Sequence, residues 1–251
     1  MKRVLLIGQS PDGHPWSTHE YMAGMRILAQ CLQPVEGLQT FIVNADNPWK
    51  EGPELLDGAD VAVLFVSQGA HWLQQKPARL AAFQRLAKRG GGLVVIHWGM
   101  GCRKAKDIAR FLELFGGCHG GPDRKYKIVT AKPVVVSNDH PVTANVKPTP
   151  VKEEFYYTLK FVKSKTAITP LLRVKIDGSN HTVAWAWQRP DGGRSFGFSG
   201  FHYHKNWEKE YYRRLVTQAV IWAAGKSVPK NGLPLKFSPS LLSMPRPKPN
   251  P

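Results

Sequence analysis

Short runs of consecutive apolar residues, each cut off by glycine or a polar turn, organise the first half of the chain. Residues 2–7 stop at Gly8, and residues 40–44 follow. Residues 60–67 (DVAVLFVS) are strongly apolar, and residues 93–97 (LVVIH) end at Trp98-Gly99-Met100-Gly101. Runs this short, without in–out alternation, are the pattern of strands buried on both faces of a parallel sheet. Between them the period becomes helical. Met22, Met25, Leu28, Ala29 and Leu32 predict an amphipathic helix from about Glu20 to Gln33, with Thr18 as its cap. Leu80, Phe83, Leu86 and Ala87 predict another over 76–88, stopped by Gly90, Gly91 and Gly92. A third spans about 104–115 and ends at Gly116-Gly117. Alternating strands and helices predict the α/β class: a doubly wound, mostly parallel sheet flanked by helices.

The second half is richer in strands. Candidates are residues 131–137, 154–161, 171–176, 182–187 and 195–199, with Asp177-Gly178 and Asp191-Gly192-Gly193 as hairpin turns, so extra antiparallel strands are expected. A last helix is predicted over about 207–224, ended by Gly225. From Lys226 the chain is basic and holds seven prolines. The expected organisation is one α/β domain over residues 1–225 and an extended Pro-rich basic tail over 226–251.

Composition narrows the function classes. No apolar run approaches the roughly 20 residues of a membrane span. The first apolar run is shorter than the ~7–15-residue core of a signal peptide. A cytoplasmic protein is expected, or an exported one if a leader was removed. Three cysteines, Cys31, Cys102 and Cys118, with no paired metal spacing exclude a disulfide scaffold and a Cys-rich zinc module. Cys31, on an apolar helix face, reads as core. The net charge is +17, yet residues 1–75 carry an acidic excess and the basic excess is spread thinly beyond them. No nucleic-acid motif accompanies it, so no specific nucleic-acid partner is expected. Anionic substrates, polysaccharides or surfaces stay open, because a broad positive field steers anions. Homo-oligomerisation also stays open.

Nine histidines carry the candidate chemistry. Ligands of open α/β sheets bind beyond the carboxyl ends of the parallel strands. His14 and His19 follow the first strand, His71 the third, His97 ends the fourth, and His202 and His204 follow the strand at 195–199. They are expected to converge on one rim. There they can bind a divalent metal such as Zn, Mn or Ni, act as acid or base, hydrogen-bond a polyol, or be structural. In His202-Tyr203-His204 the two imidazoles share a face if the chain is extended. His181 reads as a surface residue and His140-Pro141 as a turn. Glu154 opens an aromatic strand, with Tyr156 and Thr158 on its face, and is either a solvated edge group or a base or metal ligand. Trp16, Trp72, Trp98, Tyr203 and Trp207 sit on the same loops, where indoles suit sugar faces or ordinary lid packing. GxSxG, P-loop and GxGxxG motifs are absent, so no nucleotide cofactor is expected. Cys102 lies five residues beyond the strand end that a nucleophile would occupy, in the approach to the next helix.

Several pieces in order resemble the ThuA-like (trehalose-utilisation) family, whose fold is class I glutamine amidotransferase-like. They are VLLIGQSPDGHPWSTHEY, DVAVLFVS, GGGLVVIHWG, FGGCHGGP, DHPVT followed by EEFYY, GGRSFGFSGFHYH and AVIWAAG, together covering about residues 1–225. The resemblance implies a flavodoxin-like architecture, with His97 where the amidotransferases carry their nucleophilic Cys, so thiolate glutamine hydrolysis is not expected. Family-type positions transfer to His97, His119, His140, Glu154 and His202. The family commonly has adjacent Gly and His in the last turn, whereas this chain reads Gly200-Phe201-His202, which leaves His202 and His204 as alternatives.

The resulting expectation is a carbohydrate-processing protein acting on sugars or keto-glycosides by isomerisation, elimination or hydrolysis. Its catalytic and metal residues are His97, Glu154 and His202. Its substrate, a small molecule or oligosaccharide, is contacted by Trp16, His19, Trp98, His119, Tyr156 and His204. The alternatives are a non-catalytic sugar-binding or assembly module on the same scaffold, and an anionic-polymer binder.

Overall fold

A computed structural model describes residues 1–244. The first half contains β1 (Lys2–Gly8), α1 (Tyr21–Leu32), β2 (Leu38–Asn44), α2 (Gly52–Asp57), β3 (Val61–Leu64), α3 (Gly69–Gln74), α4 (Pro77–Lys88) and β4 (Gly92–Ile96). The chain continues through β5 (Gly101–Cys102), α5 (Ile108–Phe115), β6 (Gly117–Gly120), β7 (Lys125–Ala131) and β8 (Val134–Val135). It closes with β9 (Val151–Tyr157), β10 (Lys160–Phe161), β11 (Ile168–Ile176), β12 (Ser179–Gln188), β13 (Arg194–Phe198) and α6 (Glu210–Ala223).

One eight-stranded sheet runs in the order β2-β1-β3-β4-β13-β12-β11-β8. Its pairings from β2 through β13 are parallel, and those from β13 through β8 are antiparallel. Strand neighbours alternate between two cores, as strands buried on both faces must. Val4, Leu6, Val63 and Ile96 face the core of α1 and α6, while Leu5, Ile7, Leu64 and Val95 face the core of α3, α4 and α5. From β1 the chain goes to β2 on one side and β3 on the other, the switch point that opens a crevice at the carboxyl ends.

The structure revises several local expectations. Thr18 does not cap α1; its hydroxyl donates to the Pro15 carbonyl, and no side chain caps that helix. The expected strand at 131–137 is β7 and β8 instead, separated at Pro133, which has no N–H for a ladder. The expected strand at 154–161 begins three residues earlier and breaks at Thr158, whose φ is 52°. The last helix starts at Glu210, after a 3-10 turn over His204–Glu208. Cys102 lies in β5 rather than in a helix approach, and all three cysteines are buried and free.

The described part of the tail, residues 226–244, is extended except for a 3-10 turn at Pro239–Leu242, and it is fastened to the body. Leu233, Leu235, Phe237, Leu241 and Leu242 pack on the α1–α6 core, and Gln218 Oε1 accepts the Leu233 N–H at 3.0 Å. The remainder of the Pro-rich tail, 245–251, lies outside the described residues. No helix among the described residues is long and apolar enough to cross a membrane.

Candidate metal and sugar site

Three backbone devices bring distant histidines together. At the end of β4, His97 takes φ 45°, a left-handed conformation that costs a non-glycine residue energy and turns its side chain off the strand end. The turn that follows is packed tightly, since a Cβ on Gly99 would lie 2.6 Å from the Leu64 carbonyl oxygen. The loop after β1 and the turn after β13 are zipped by a bridge between Thr18 and Tyr203. There the His19 N–H donates to the His202 carbonyl at 3.0 Å and the His204 N–H to the Ser17 carbonyl at 2.8 Å. Ser17, His19 and Phe201 also have positive φ, at 65°, 54° and 80°.

Glu153 holds the 200–206 turn. It is fully buried and accepts the backbone N–H groups of Phe201 at 2.8 Å, His202 at 3.1 Å and Glu154 at 2.9 Å, plus Asn206 Nδ2 at 3.0 Å. Burial pushes its carboxyl up to about 7 against the pull of those donors.

The rings meet nitrogen to nitrogen. His19 Nε2 is 3.1 Å from His97 Nε2 and 3.0 Å from His202 Nδ1. Glu154 Oε1 is 3.6 Å from His202 Nδ1. Hydrogen-bond partners fix the tautomers. His97 Nδ1 is 2.7 Å from the Ser199 carbonyl oxygen, which only accepts, so Nδ1 carries the proton and Nε2 a lone pair. The Tyr21 hydroxyl donates to Asp12 Oδ2 at 2.6 Å and therefore accepts from His19 Nδ1 at 3.0 Å. This leaves His19 Nε2 a lone pair as well. His202 Nδ1–H can satisfy His19, and the Tyr156 hydroxyl donates to His97 Nε2 at 3.0 Å. His19 Nε2 and His97 Nε2 thus carry no proton of their own, and each accepts one hydrogen bond, from His202 and from Tyr156.

All three imidazoles are held neutral. Burial drives His97 well below its ordinary value, reinforced by the neighbouring His19 and His202. His202 falls to about 3 through burial and the nearby His19 and His14. His19 is also lowered by burial, partly offset by Asp12. Burial raises Glu154 to about 7. The ligand atoms of His19, His97, His202 and Glu154 lie within 4.8 Å of one another.

This donor set fits a divalent cation. A tetrahedral zinc with bonds of about 2.0–2.1 Å separates its nitrogens by roughly 3.3 Å, close to the contacts seen here. Ligating histidines characteristically donate their other N–H to a carbonyl or carboxylate system, as His97 does to Ser199 and His19 does through Tyr21 to Asp12. Asp12, His14 and His19 are also close enough to chelate. Their atoms are already engaged, because Asp12 takes the Tyr21 hydroxyl on one oxygen and His14 Nδ1 on the other at 2.6 Å. That group is a brace for His19.

A family model described as trehalose utilisation, ThuA, matches residues 5–223. The chain belongs to the ThuA family. Two solved ThuA-like proteins share its fold. One from Bacteroides uniformis has TM-score 0.65 and 16% identity, covering 90% of this chain and 92% of that one. One from Parabacteroides merdae has TM-score 0.61 and 16% identity, covering 91% and 92%. The glutaminase domain of a Trypanosoma brucei CTPS aligns with TM-score 0.51 and 12% identity, covering 95% and 98%, so the architecture is class I glutamine amidotransferase-like. Among curated proteins none matches.

In this ThuA chain the aromatic positions divide. Tyr156 is stacked between His97, at 4.4 Å between centroids, and His119, at 3.9 Å. Trp98 lies against both Tyr156 and His119. Trp16 is 46% exposed on the loop that carries His14. Trp72 and Trp207 are buried in the two cores.

Four histidines are not brought to the cluster. His204 Nε2–H donates to the Leu241 carbonyl of the tail at 3.1 Å, so of the alternatives in that turn it is His202 that joins the other imidazoles. His71 pairs with Asp107 at 2.7 Å. His181 lies edge-on to Tyr157. His140 caps its own turn by accepting the Val142 N–H, and packs on Trp222 near the start of β13, at the opposite end of the sheet. Asp12, Tyr21 and Glu153 were not singled out by sequence reasoning. Only Glu153 had a local signal, a carboxylate at the buried period-two position between Val151 and Phe155.

Proposed function

We propose that the chain is a carbohydrate-processing enzyme acting on oxidised (keto) sugars or keto-glycosides, with His19, His97 and His202 holding a divalent metal and Glu154 as the base. The observation that carries this reading is the convergence of His19, His97, His202 and Glu154, whose ligand atoms lie within 4.8 Å of one another. Trehalose-utilisation membership supports the sugar. Three imidazoles leave a fourth position for substrate, as catalytic zinc sites do.

A bound cation would supply Lewis-acid polarisation of the sugar carbonyl. Glu154, raised to about 7 by burial, takes the proton from the carbon beside the ketone near neutral pH. The C–H electron pair moves into the carbon framework and the carbonyl oxygen becomes an enolate. The Tyr156 hydroxyl, 3.0 Å from His97 Nε2, is placed to donate to that oxygen. Passage of the proton of the hydroxyl on the α-carbon to the enolate oxygen, with return of the Glu154 proton to the former carbonyl carbon, completes an isomerisation that moves the ketone by one carbon. Delivery of the Glu154 proton to a departing glycosidic oxygen completes an elimination. Burial of His19 and His97 excludes water from this step.

The test follows exchange of the sugar's α-hydrogen for deuterium, and product formation, by NMR with keto-glycosides. Wild type is expected to exchange and convert. Glu154→Gln is expected to lose both while keeping its metal. Wild-type rates in folded Glu154→Gln and His97→Ala would refute the reading.

A further inference from the structure

Beside the histidines, the turn between β6 and β7 places Arg124 at the edge of the same aromatic floor. Its guanidinium lies 6.0 Å from the Trp98 ring centroid. Trp98 in turn contacts His119 and Tyr156, and Tyr156 stacks on His97. A continuous ring surface therefore runs from the imidazole cluster to a cation. Arg124 uses one donor, Nη1, on the Gly121 carbonyl at 3.0 Å, and among the described residues no carboxylate pairs with it. The nearest counter-charge in the turn is engaged elsewhere, since Asp123 binds Lys160 at 2.8 Å. His119 is held neutral at about 3 by burial and by these two cations, so it adds no charge of its own beside them.

A half-buried guanidinium with most of its fork unused, leaning on an indole, suits a planar or tetrahedral oxyanion, which it can take in two parallel hydrogen bonds. We infer that the substrate is an anionic sugar, whose carboxylate or phosphate is received by Arg124 beside the chain of buried rings that leads to the histidine cluster. This rests on the sugar reading above and adds the charge of the substrate. The chain's +17 charge favours encounter with such a ligand, but Arg124 supplies the local selectivity.

The test measures binding of glucose, glucuronate and glucose 6-phosphate to the full chain by calorimetry, for wild type, Arg124→Gln and Lys88→Gln. Lys88, on α4, removes the same charge away from the site. Wild type is expected to bind at least one anionic sugar about tenfold more tightly than glucose. Arg124→Gln is expected to abolish that preference, and Lys88→Gln to retain it. A preference for glucuronate alone assigns a carboxylate, and one for the phosphate alone assigns a phosphate. Equal binding of all three sugars, a preference that survives Arg124→Gln, or equal loss in Lys88→Gln overturns the inference and leaves the sugar reading standing. Binding of none of the three also overturns the inference, while hydrogen exchange with keto-glycosides decides the sugar reading separately.

Discussion

At the carboxyl ends of β1, β4 and β13 three imidazoles turn nitrogen toward nitrogen, whereas at the amino end His140 turns its nitrogen toward the Val142 N–H. Both sets are buried enough to be neutral, so burial alone does not mark a site. The difference lies in what each lone pair faces. His140 has a donor from its own turn and a Trp222 ring against it, and needs nothing more. His97 and His19 are fixed from behind by Ser199 and by Tyr21–Asp12, and their unprotonated Nε2 atoms converge with His202 and Glu154. The backbone tells the same story, since Ser17, His19, His97 and Phe201 all hold positive φ around the rim.

The sharpest way to break this contrast is to remove one ring from each end. His97→Ala is expected to lower zinc affinity by more than about 100-fold, beyond the cost of losing an outer partner, while His140→Ala leaves it intact; competition with a chelating dye reads both. Glu153→Ala should unfold more readily by about 3 kcal/mol in urea titration, because it strands several buried N–H donors of the 200–206 turn. Tyr21→Phe, which cuts the relay from Asp12 to His19, should weaken zinc by about 10–100-fold without unfolding the chain. The smallest effect concerns pH. His119 and His140 fall to about 3 and about 4, so the unfolded chain, titrating near 6.5, binds more protons between those limits. The contribution of these two histidines to stability is therefore full above about 6.5 and falls as pH drops through that window. Glu153 and Glu154 oppose it, because their raised values give the reverse slope. Relative to wild type, His140→Gln should lose less stability in urea titrations between pH 7 and 5.

The parallel half of the sheet was legible because its strands are continuous apolar runs that no other element explains. β1 and β4, with His97 at the exit of β4, follow from that pattern alone. The short elements α2, α3, β5 and β6 were not legible, since each spans too few residues to show a period. At the site, His97, His202 and Glu154 emerged from strand ends and family-type positions. The central place of His19 did not, because it depends on a bridge between residues 18 and 203. Asp12 and Tyr21 lie beyond sequence reasoning for the same reason, as their roles exist only once the loop folds back on itself. His204 shows the converse, since a suggestive HxH spacing was overridden by a tail that docks on one of its two rings.

X-ray absorption on the zinc-loaded chain tests the central claim most directly. One ion per chain is expected, with three imidazoles and one lighter donor at about 2.0–2.1 Å, and the loss of one imidazole from that shell in His19→Ala. Failure of the folded wild type to retain zinc, or an unchanged shell in the His19, His97 and His202 triple alanine variant, would contradict it.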